Sequence, residues 1–244
     1  MIRIILVGVF IVLLLLLSLP VLLFESIYGR YDERRALLQS TAIIRWAFKV
    51  ILFISGTRVK VSGLENVPEH EAVLFVGNHR SYFDIVSTYA VLREPLGFVA
   101  KVEMNRIPIL RLWMKRIGCL LIDRSDPKEG LKTILRAIDQ VKSGVSVFIY
   151  PEGTRNPDPD PRNLMDFHEG SLKIAQKSGC RIVPVAICGT DDAFERHIPF
   201  IKKAEVHIRF GEPFYTKDIP QDYGRKHGLY LRDLIKGMLE ESLG

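Results

Sequence analysis

Residues 72–84 read AVLFVGNHRSYFD and contain the signal that decides the fold. The first part, Ala72–Gly77, is a continuous apolar run without alternation, which is typical of a β-strand buried on both faces. A helical pattern follows at Tyr82–Leu92, and the polar residues between them lie in the connecting turn. A buried strand that leads directly into a helix is the repeating unit of α/β folds.

The same texture continues along residues 57–244. Further strands are predicted at Gly97–Ala100, Cys119–Ile122, Val145–Tyr150, Ile182–Ile187 and Glu205–Phe210. Further helices are predicted at Asn105–Ile117, Lys128–Lys142, Glu169–Lys177 and Arg225–Leu243. This alternation predicts an α/β domain with a mostly parallel sheet flanked by helices. Ligands of such sheets bind in the loops at the strand ends.

Residues 1–56 have a different character. The 21 residues Ile4–Phe24 carry no charge, and a helix of that length rises about 30 Å, which matches a bilayer core. A cleaved signal peptide is the alternative, but the run is long for one and no small-x-small cleavage pattern follows it. Pro20 allows a kink or a half-inserted hairpin. A retained membrane segment is therefore predicted.

A second apolar stretch, Ala36–Ser55, contains a polar stripe. Thr41, Arg45 and Lys49 are four residues apart and share one side of a helix. The prediction is a helix in the membrane interface with this stripe toward lipid headgroups. The alternative is a helix packed on the protein's own core with the stripe in water. Residues 1–56 are thus predicted to form a membrane-associated helical hairpin.

The net charge of +6 is concentrated beside these apolar stretches. Eight basic and three acidic residues lie in the first 60 positions, which therefore carry +5 of the total. By the positive-inside rule, the α/β domain is predicted to lie on the cytoplasmic side of a membrane. No basic helix with interleaved aromatic residues occurs elsewhere, so nucleic acid is not a predicted partner.

His79 and Asp84 are the sharpest candidates for chemistry. Five residues apart, they would point in different directions on a regular helix. They meet if His79 precedes the helix and Asp84 lies in its first turn, as a Ser81-x-x-Asp84 capping box with Ser81 as N-cap implies. A carboxylate that orients an imidazole creates a general base. The alternative is that Asp84 only caps the helix and His79 is an ordinary loop residue.

Several other chemistries are excluded by their missing motifs. The chain has no GxSxG elbow, Walker A loop, GxGxxG fingerprint or HExxH motif. Its other histidines do not pair with Cys, Asp or Glu at metal-ligand spacing, and no metal site is predicted. Its three cysteines include no CxxC pair, which argues against a zinc knuckle and a disulfide framework.

Asn78-His79-x4-Asp84 resembles the signature of the glycerolipid acyltransferases, in particular the 1-acylglycerol-3-phosphate acyltransferases. Three further blocks resemble that family in the same order: Gly118–Arg124, Tyr150–Arg155 and Ile182–Ile187. The resemblance implies a glycerol-phosphate acyltransferase-like fold. It also implies acyl transfer from a thioester to the sn-2 hydroxyl of 1-acylglycerol 3-phosphate, which gives phosphatidate. Acyl-coenzyme A and acyl carrier protein both stay open as donor, and no cofactor is implied.

The resemblance also assigns substrate-binding roles, and these assignments come from the matching blocks. Arg124, Arg155 and Lys101 are expected to bind the acceptor phosphate, as guanidinium and ammonium groups do. Glu152 is expected to bind glycerol oxygens. The remaining members of the predicted site are Asn78, Gly153 and Thr154. Backbone N–H groups near 78–81 or at Gly153 are candidates to stabilise the oxyanion.

Two alternatives remain beside this prediction. The acceptor could be another lysolipid or glycerol 3-phosphate. The chain could also be a non-catalytic membrane protein that binds anionic lipids. A binder needs no general base, so the intact His79–Asp84 motif favours an enzyme.

Overall fold

The computed structural model describes residues 1–123 and 125–243. Its strands are β1 (Arg58–Ser62), β2 (Leu74–Gly77), β3 (Leu96–Lys101), β4 (Leu120–Ile122), β5 (Ser146–Ile149), β6 (Ile182–Cys188) and β7 (Glu205–Phe210). Its α-helices are α1 (Ile2–Leu17), α2 (Leu19–Tyr28), α3 (Glu33–Ser55), α4 (Tyr82–Val91), α5 (Pro108–Arg116), α6 (Pro127–Lys142), α7 (Lys173–Ser178) and α8 (His227–Leu243).

The described strands form one seven-stranded sheet in the order β1-β7-β6-β2-β5-β3-β4. Within these residues, neighbouring strands are parallel except for β6 and β7. The pair β1 and β7 therefore runs opposite to the rest of the sheet. The predicted mostly parallel sheet flanked by helices is confirmed.

Helices cover both faces of the sheet, which explains why its strands are apolar without alternation. On β2, Leu74 and Val76 belong to a core with residues of α6 and α8. Phe75 faces the other way, into a core that includes Tyr89 of α4 and Trp113 of α5.

Strand β1 was not predicted from the sequence. It lies at the edge of the sheet, and its side chains are mostly exposed, so Arg58–Ser62 lacks the apolar run of the inner strands. Two predicted helices also differ at their starts. The first turn of the predicted helix at Glu169–Lys177 is a 3-10 helix, Glu169–Leu172. The predicted Asn105–Ile117 helix begins only at Pro108, which occupies the first-turn position that proline favours.

The predicted N-terminal apolar helix is broken in two. Helices α1 and α2 bend by 44° at Ser18, two residues before Pro20. The Ser18 hydroxyl accepts a hydrogen bond from Trp113 Nε1 at 2.8 Å, so the break is attached to α5. By length and composition, α3 could cross a membrane, and α1 with α2 would do so only as a bent pair.

Two of the three residues in the predicted polar stripe of α3, Thr41 and Arg45, face the protein, contrary to the prediction, whereas Lys49 is exposed. Thr41 is buried, and Arg45 donates to the carbonyl oxygens of Leu92 and Arg93 just beyond the end of α4. This contact suits a cation, because a helix C-terminus presents unpaired carbonyl groups. The exposed stripe of α3 is instead mainly apolar and consists of Leu38, Ala42, Trp46, Lys49 and Phe53.

Candidate active site

Most of the predicted site residues lie at the carboxyl ends of the parallel strands. The strands β2, β3, β5 and β6 all end on this side of the sheet, so the turns that follow them converge. The turn after β2 contains His79, the turn after β5 contains Glu152, and the turn after β6 contains Thr190. Sequence position alone therefore placed the first two correctly at strand ends.

His79 and Asp84 meet as the local sequence predicts. His79 Nδ1 lies 2.7 Å from Asp84 Oδ2, and Ser81 caps α4 by accepting from the N–H of Phe83. Because Asp84 Oδ2 is an acceptor, the hydrogen of the neutral imidazole belongs on Nδ1 and the lone pair on Nε2. The imidazole also stacks on Tyr150, with ring centroids 4.2 Å apart. The ring is thus held on its edge and on one face.

The Asp84 carboxylate is fully buried and receives further donors. The backbone N–H groups of Arg80 and Ser81 donate to the same Oδ2, at 2.7 and 2.8 Å. Thr190 donates its hydroxyl to the other oxygen, Oδ1, at 2.6 Å. These donors replace the water that a buried carboxylate loses. Sequence reasoning missed Thr190, although its position directly after a buried strand was a usable signal.

Glu152 is hydrogen-bonded to the backbone of His79. Its Oε1 accepts the N–H of His79 at 2.7 Å, and its Oε2 accepts from the N–H of Met165 and from Asn156 Nδ2. Burial raises the pKa of Glu152 above its usual value, although the two N–H donors act in the opposite direction. Since both oxygens bind protein donors, the structure does not offer Glu152 as a free contact for glycerol.

Asn78 and the expected oxyanion donors are also engaged within the protein. The Asn78 amide is fully buried and exchanges two hydrogen bonds of 2.8 Å with the backbone of Ile187 in β6. The geometry therefore assigns the Asn78 side chain to joining β2 to β6 and does not support a substrate contact. The N–H groups of residues 79–81 donate to Glu152 and Asp84, and that of Gly153 donates to Tyr150 O.

Arg80 is buried beside the site, where it joins the turn after β2 to that after β6. Its Nη2 donates to Asp191 Oδ2 at 2.8 Å and to the carbonyl oxygen of Asp158. Arg196 donates to the same Asp191 oxygen and to Pro159 O, each at 2.8 Å. Burial alone would raise the pKa of Asp191, but the hydrogen bonds and charges of the two arginines together lower it.

Arg155 lies at the rim of the site and is partly exposed. Its Nη1 lies 2.9 Å from Glu195 Oε1, and its guanidinium lies 4.0 Å from the ring centroid of Tyr82. Thr154 beside it is exposed, and Gly153 adopts a positive φ of 81°, which lets the chain turn there. To bind a phosphate, Arg155 would either keep its hydrogen bond to Glu195 and use its other N–H donors or break that bond.

Two further cations, Lys101 and Arg124, were predicted to bind phosphate. Lys101 is the last residue of β3, so it also lies at the carboxyl ends of the strands, where it is exposed and pairs with Glu103 at 2.9 Å. Arg124 lies outside the described residues. Within residues 1–123 and 125–243, no three His, Cys, Asp or Glu side chains cluster as a metal site would require.

A cavity of about 370 Å³ shares Tyr150 and Gly153 with the site. Its wall is largely apolar, with Val99, Ile134 and Ile149 among its residues. A larger cavity of about 830 Å³ lies near the amino ends of the strands, against α2, and is remote from His79. The smaller cavity is therefore the one relevant to the site.

The Acyltransferase family model matches residues 58–188, which is more than half of the chain. The chain belongs to the acyltransferase family. The matched region begins at β1 and ends with β6, so it includes His79, Asp84 and the turn after β5.

This acyltransferase is similar to several curated proteins. It is 31% identical over 169 residues to a 1-acyl-sn-glycerol-3-phosphate acyltransferase of Borreliella burgdorferi, covering 69% of this chain and 66% of that protein. It is also 31% identical over 185 residues to a chloroplastic 1-acyl-sn-glycerol-3-phosphate acyltransferase of Arabidopsis thaliana, covering 75% and 48%. The chain thus matches less than two thirds of the length of either relative.

The fold of this acyltransferase has a solved counterpart. The crystal structure of the 1-acyl-sn-glycerophosphate acyltransferase PlsC from Thermotoga maritima superimposes with a TM-score of 0.83 at 24% identity. The alignment covers 100% of this chain and 95% of the other. The likeness therefore extends over the N-terminal helices as well as the α/β domain.

Proposed function

We propose that this protein is a membrane-bound 1-acylglycerol-3-phosphate acyltransferase in which His79 is the general base. The observation that carries the proposal is the 2.7 Å contact between His79 Nδ1 and the buried Asp84 carboxylate. It leaves Nε2 as the proton acceptor, in a side chain that is 16% exposed at the strand ends. The names of the curated relatives support the acceptor and the reaction.

The proposed reaction is direct acyl transfer. The sn-2 hydroxyl of the acceptor attacks the thioester carbonyl carbon while His79 Nε2 takes the hydroxyl proton. Asp84 stabilises the imidazolium that forms, as carboxylates do in other histidine-based sites. The C–O bond forms, the C–S bond breaks, and the imidazolium returns its proton to the departing thiolate. No acyl-enzyme and no cofactor enter this scheme.

Arg155 is the proposed contact for the acceptor phosphate. It lies on the rim formed by the turn after β5, and a phosphate can replace Glu195 as its anionic partner. Lys101 and Arg124 are proposed as further phosphate ligands, because Lys101 ends β3 and Arg124 comes two positions after the neighbouring strand β4 in the sequence. Glu152 is proposed to position His79, since its oxygens are engaged by the protein.

The donor is proposed to be an acyl thioester of coenzyme A or of acyl carrier protein. The apolar cavity beside Tyr150 and Gly153 suits a hydrocarbon chain better than a polar headgroup. A chain placed there would lie against Tyr150, the residue on which His79 stacks. This adjacency supports a role in binding the acyl group.

Residues 1–56 are proposed as the membrane anchor, with helices that lie in one face of the bilayer. Val7 of α1 packs in a cluster with Ala193 and Ile201, and Ser18 after α1 binds Trp113. Because α1 contacts the α/β domain both at Val7 within the helix and at Ser18 just after it, the helix runs along that domain. The concentration of positive charge supports a cytoplasmic position for the domain.

The test uses the purified full chain in detergent with radiolabelled acyl-coenzyme A or acyl carrier protein. Acceptors are 1-acylglycerol 3-phosphate, two other lysophospholipids and glycerol 3-phosphate. We expect labelled phosphatidate from the first acceptor. The His79→Ala variant should lose activity by about 100-fold or more, as expected for a general base.

The control is His207→Ala, a histidine of β7 whose ring pairs with Glu205 Oε1 at 3.1 Å and contacts none of the site residues described above. It should keep wild-type activity. Preferential acylation of another acceptor would change the substrate assignment. Substantial activity in His79→Ala would overturn the general-base role, and lipid binding without turnover by wild type would favour the non-catalytic alternative.

A further inference from the structure

The loop between β6 and β7 lies against the N-terminal helices. Its buried residues Ala193 and Ile201 pack in one cluster with Val7 of α1 and with Ile51 and Leu52 of α3. The last part of this loop, residues 194–204, leads into β7 and is called the 194–204 segment below. It lies on the side of the α/β domain that faces the N-terminal helices.

Two large apolar side chains of this segment point away from the protein. Ile198 is 61% exposed and Phe200 is 43% exposed, on either side of Pro199. Single exposed apolar residues are common on protein surfaces. Here, however, the segment adjoins the start of α1, where Ile2 is 73% exposed, and the end of α3, where Phe53 is 86% exposed.

The ends of these three elements come close together around Gly56. A methyl group built on Gly56 would lie 3.0 Å from Lys203 Cγ and 3.7 Å from Arg3 Nε. The start of α1, the turn after α3 and the segment therefore form one continuous edge.

The charges of the segment favour an anionic partner. Lys202 and Lys203 are exposed, and neither has a carboxylate within ion-pair distance among the described residues. The acidic groups nearby have cations of their own, since Glu195 binds Arg155 and Asp191 binds Arg196. Apolar tips next to unpaired lysines are the arrangement that suits the interface of an anionic bilayer.

The segment is also joined to the candidate site. Glu195 Oε1 accepts from the N–H of Tyr82 at 3.0 Å and from Arg155 Nη1 at 2.9 Å. Tyr82 begins α4, next to the turn that contains His79, and its side chain is half exposed. A surface bound at the segment would therefore lie beside the rim of the site.

We propose that the 194–204 segment is a second membrane-contact element. Ile198 and Phe200 enter the interfacial layer of an anionic phospholipid bilayer, and Lys202 and Lys203 contact its phosphates. This inference rests on the proposed membrane anchoring by residues 1–56. It adds a contact within the α/β domain itself, which brings the Tyr82 side of the site to the lipid surface from which a lipid acceptor enters.

The first experiment places an environment-sensitive fluorophore on single cysteines of the full chain, with the native cysteines replaced. Labels at positions 198 and 200 test the segment, a label at position 13 of α1 tests the anchor, and a label at position 221, next to α8 on the other face of the sheet, is the reference. On vesicles that contain phosphatidylglycerol, we expect blue-shifted emission at 13, 198 and 200 and no shift at 221.

The labels separate this proposal from the proposed anchor. A shift at 13 with no shift at 198 and 200 overturns the segment's role and leaves the anchor in place. No shift at any position overturns both. A shift at 198 and 200 with acidic acyl carrier protein, but not with vesicles, assigns the surface to a protein and overturns the lipid proposal.

The second experiment uses charge. The double variant Lys202→Glu, Lys203→Glu should raise the KM for 1-acylglycerol 3-phosphate in anionic vesicles about threefold or more, because the electrostatic attraction of two lysines is reversed. With a short-chain acceptor in solution, the KM should be unchanged. The matched control is the double variant Arg225→Glu, Lys226→Glu on the far side of the sheet, which reverses the same number of exposed positive charges. Equal KM values for the variant and the control on anionic vesicles would contradict the proposal.

Discussion

Thr190 shows how a residue outside the motifs can orient the candidate base. It donates to Asp84 Oδ1, while His79 occupies Oδ2, so the carboxylate is held from both sides. Replacing Thr190 with valine keeps the shape and removes the donor. The buried oxygen then lacks a partner, which should lower the free energy of unfolding by about 1–3 kcal/mol.

The same change should reduce kcat, because Asp84 is freer to rotate away from His79. A loss of about tenfold corresponds to about 1.4 kcal/mol of transition-state stabilisation. The matched control is Thr190→Ser, which keeps the hydroxyl and should stay near wild type in both measurements. If the valine and serine variants have equal kcat values, Thr190 does not position Asp84.

At this scale, the sequence predicts contacts that are local in the chain. The pairing of His79 with Asp84 follows from a five-residue spacing and the capping box at Ser81. The partner of Asp84 on its other side lies 106 residues away, and only the fold brings Thr190 there. The burial of Glu152 and Asn78 could not be predicted either, since both occupy motif positions whose types suit substrate contact equally well.

At the scale of elements, an ion-pair network holds the proline-rich loop after β5. Arg80 and Arg196 donate to the carbonyl oxygens of Asp158 and Pro159, and both arginines share the Asp191 carboxylate. Asp191→Asn keeps the size of the side chain and removes its charge. Because Arg80 is buried, the variant should be less stable at neutral pH by about 3 kcal/mol, in the range for breaking a buried pair.

The stability difference should depend on pH with a defined sign. The pKa of Asp191 is lowered in the folded protein, so its carboxylate stabilises the fold above the ordinary value of 3.8 and loses that effect as pH falls through the folded value. Thermal unfolding of wild type and Asp191→Asn should therefore differ most near neutral pH and converge in acid. A difference that does not change below pH 3.8 would contradict this assignment.

Element predictions succeeded where burial shapes the sequence and failed where it does not. The inner strands are apolar on both faces, so they stand out, whereas the edge strand β1 is mostly exposed and polar. The direction of the α3 stripe required knowing that α4 ends beside it. Arg45 then finds two carbonyl oxygens there, and the apolar side of α3 is left outside.

At the scale of the whole molecule, the N-terminal helices and the α/β domain form one body. Residues of α1 and α2 contribute to the same cores as the domain, with Leu15 and Leu22 in the cluster that contains Trp113. The sequence predicts apolar segments and their charge asymmetry, but it does not predict their contacts with the domain. For the proposed membrane anchor, those contacts favour helices that lie along the membrane surface over helices that cross it.

This orientation can be tested by labelling from one side. Single cysteines at positions 2 and 31 flank α1 and α2 and are exposed, while position 221 reports on the α/β domain. In vesicles whose domain faces outward, a membrane-impermeant maleimide should label all three, because both ends of an in-plane pair stay on the side of the domain. A spanning pair would instead protect position 2 and leave 31 and 221 reactive. The native Cys119, Cys180 and Cys188 are half-buried or buried and would be replaced by alanine so that only the introduced thiols react.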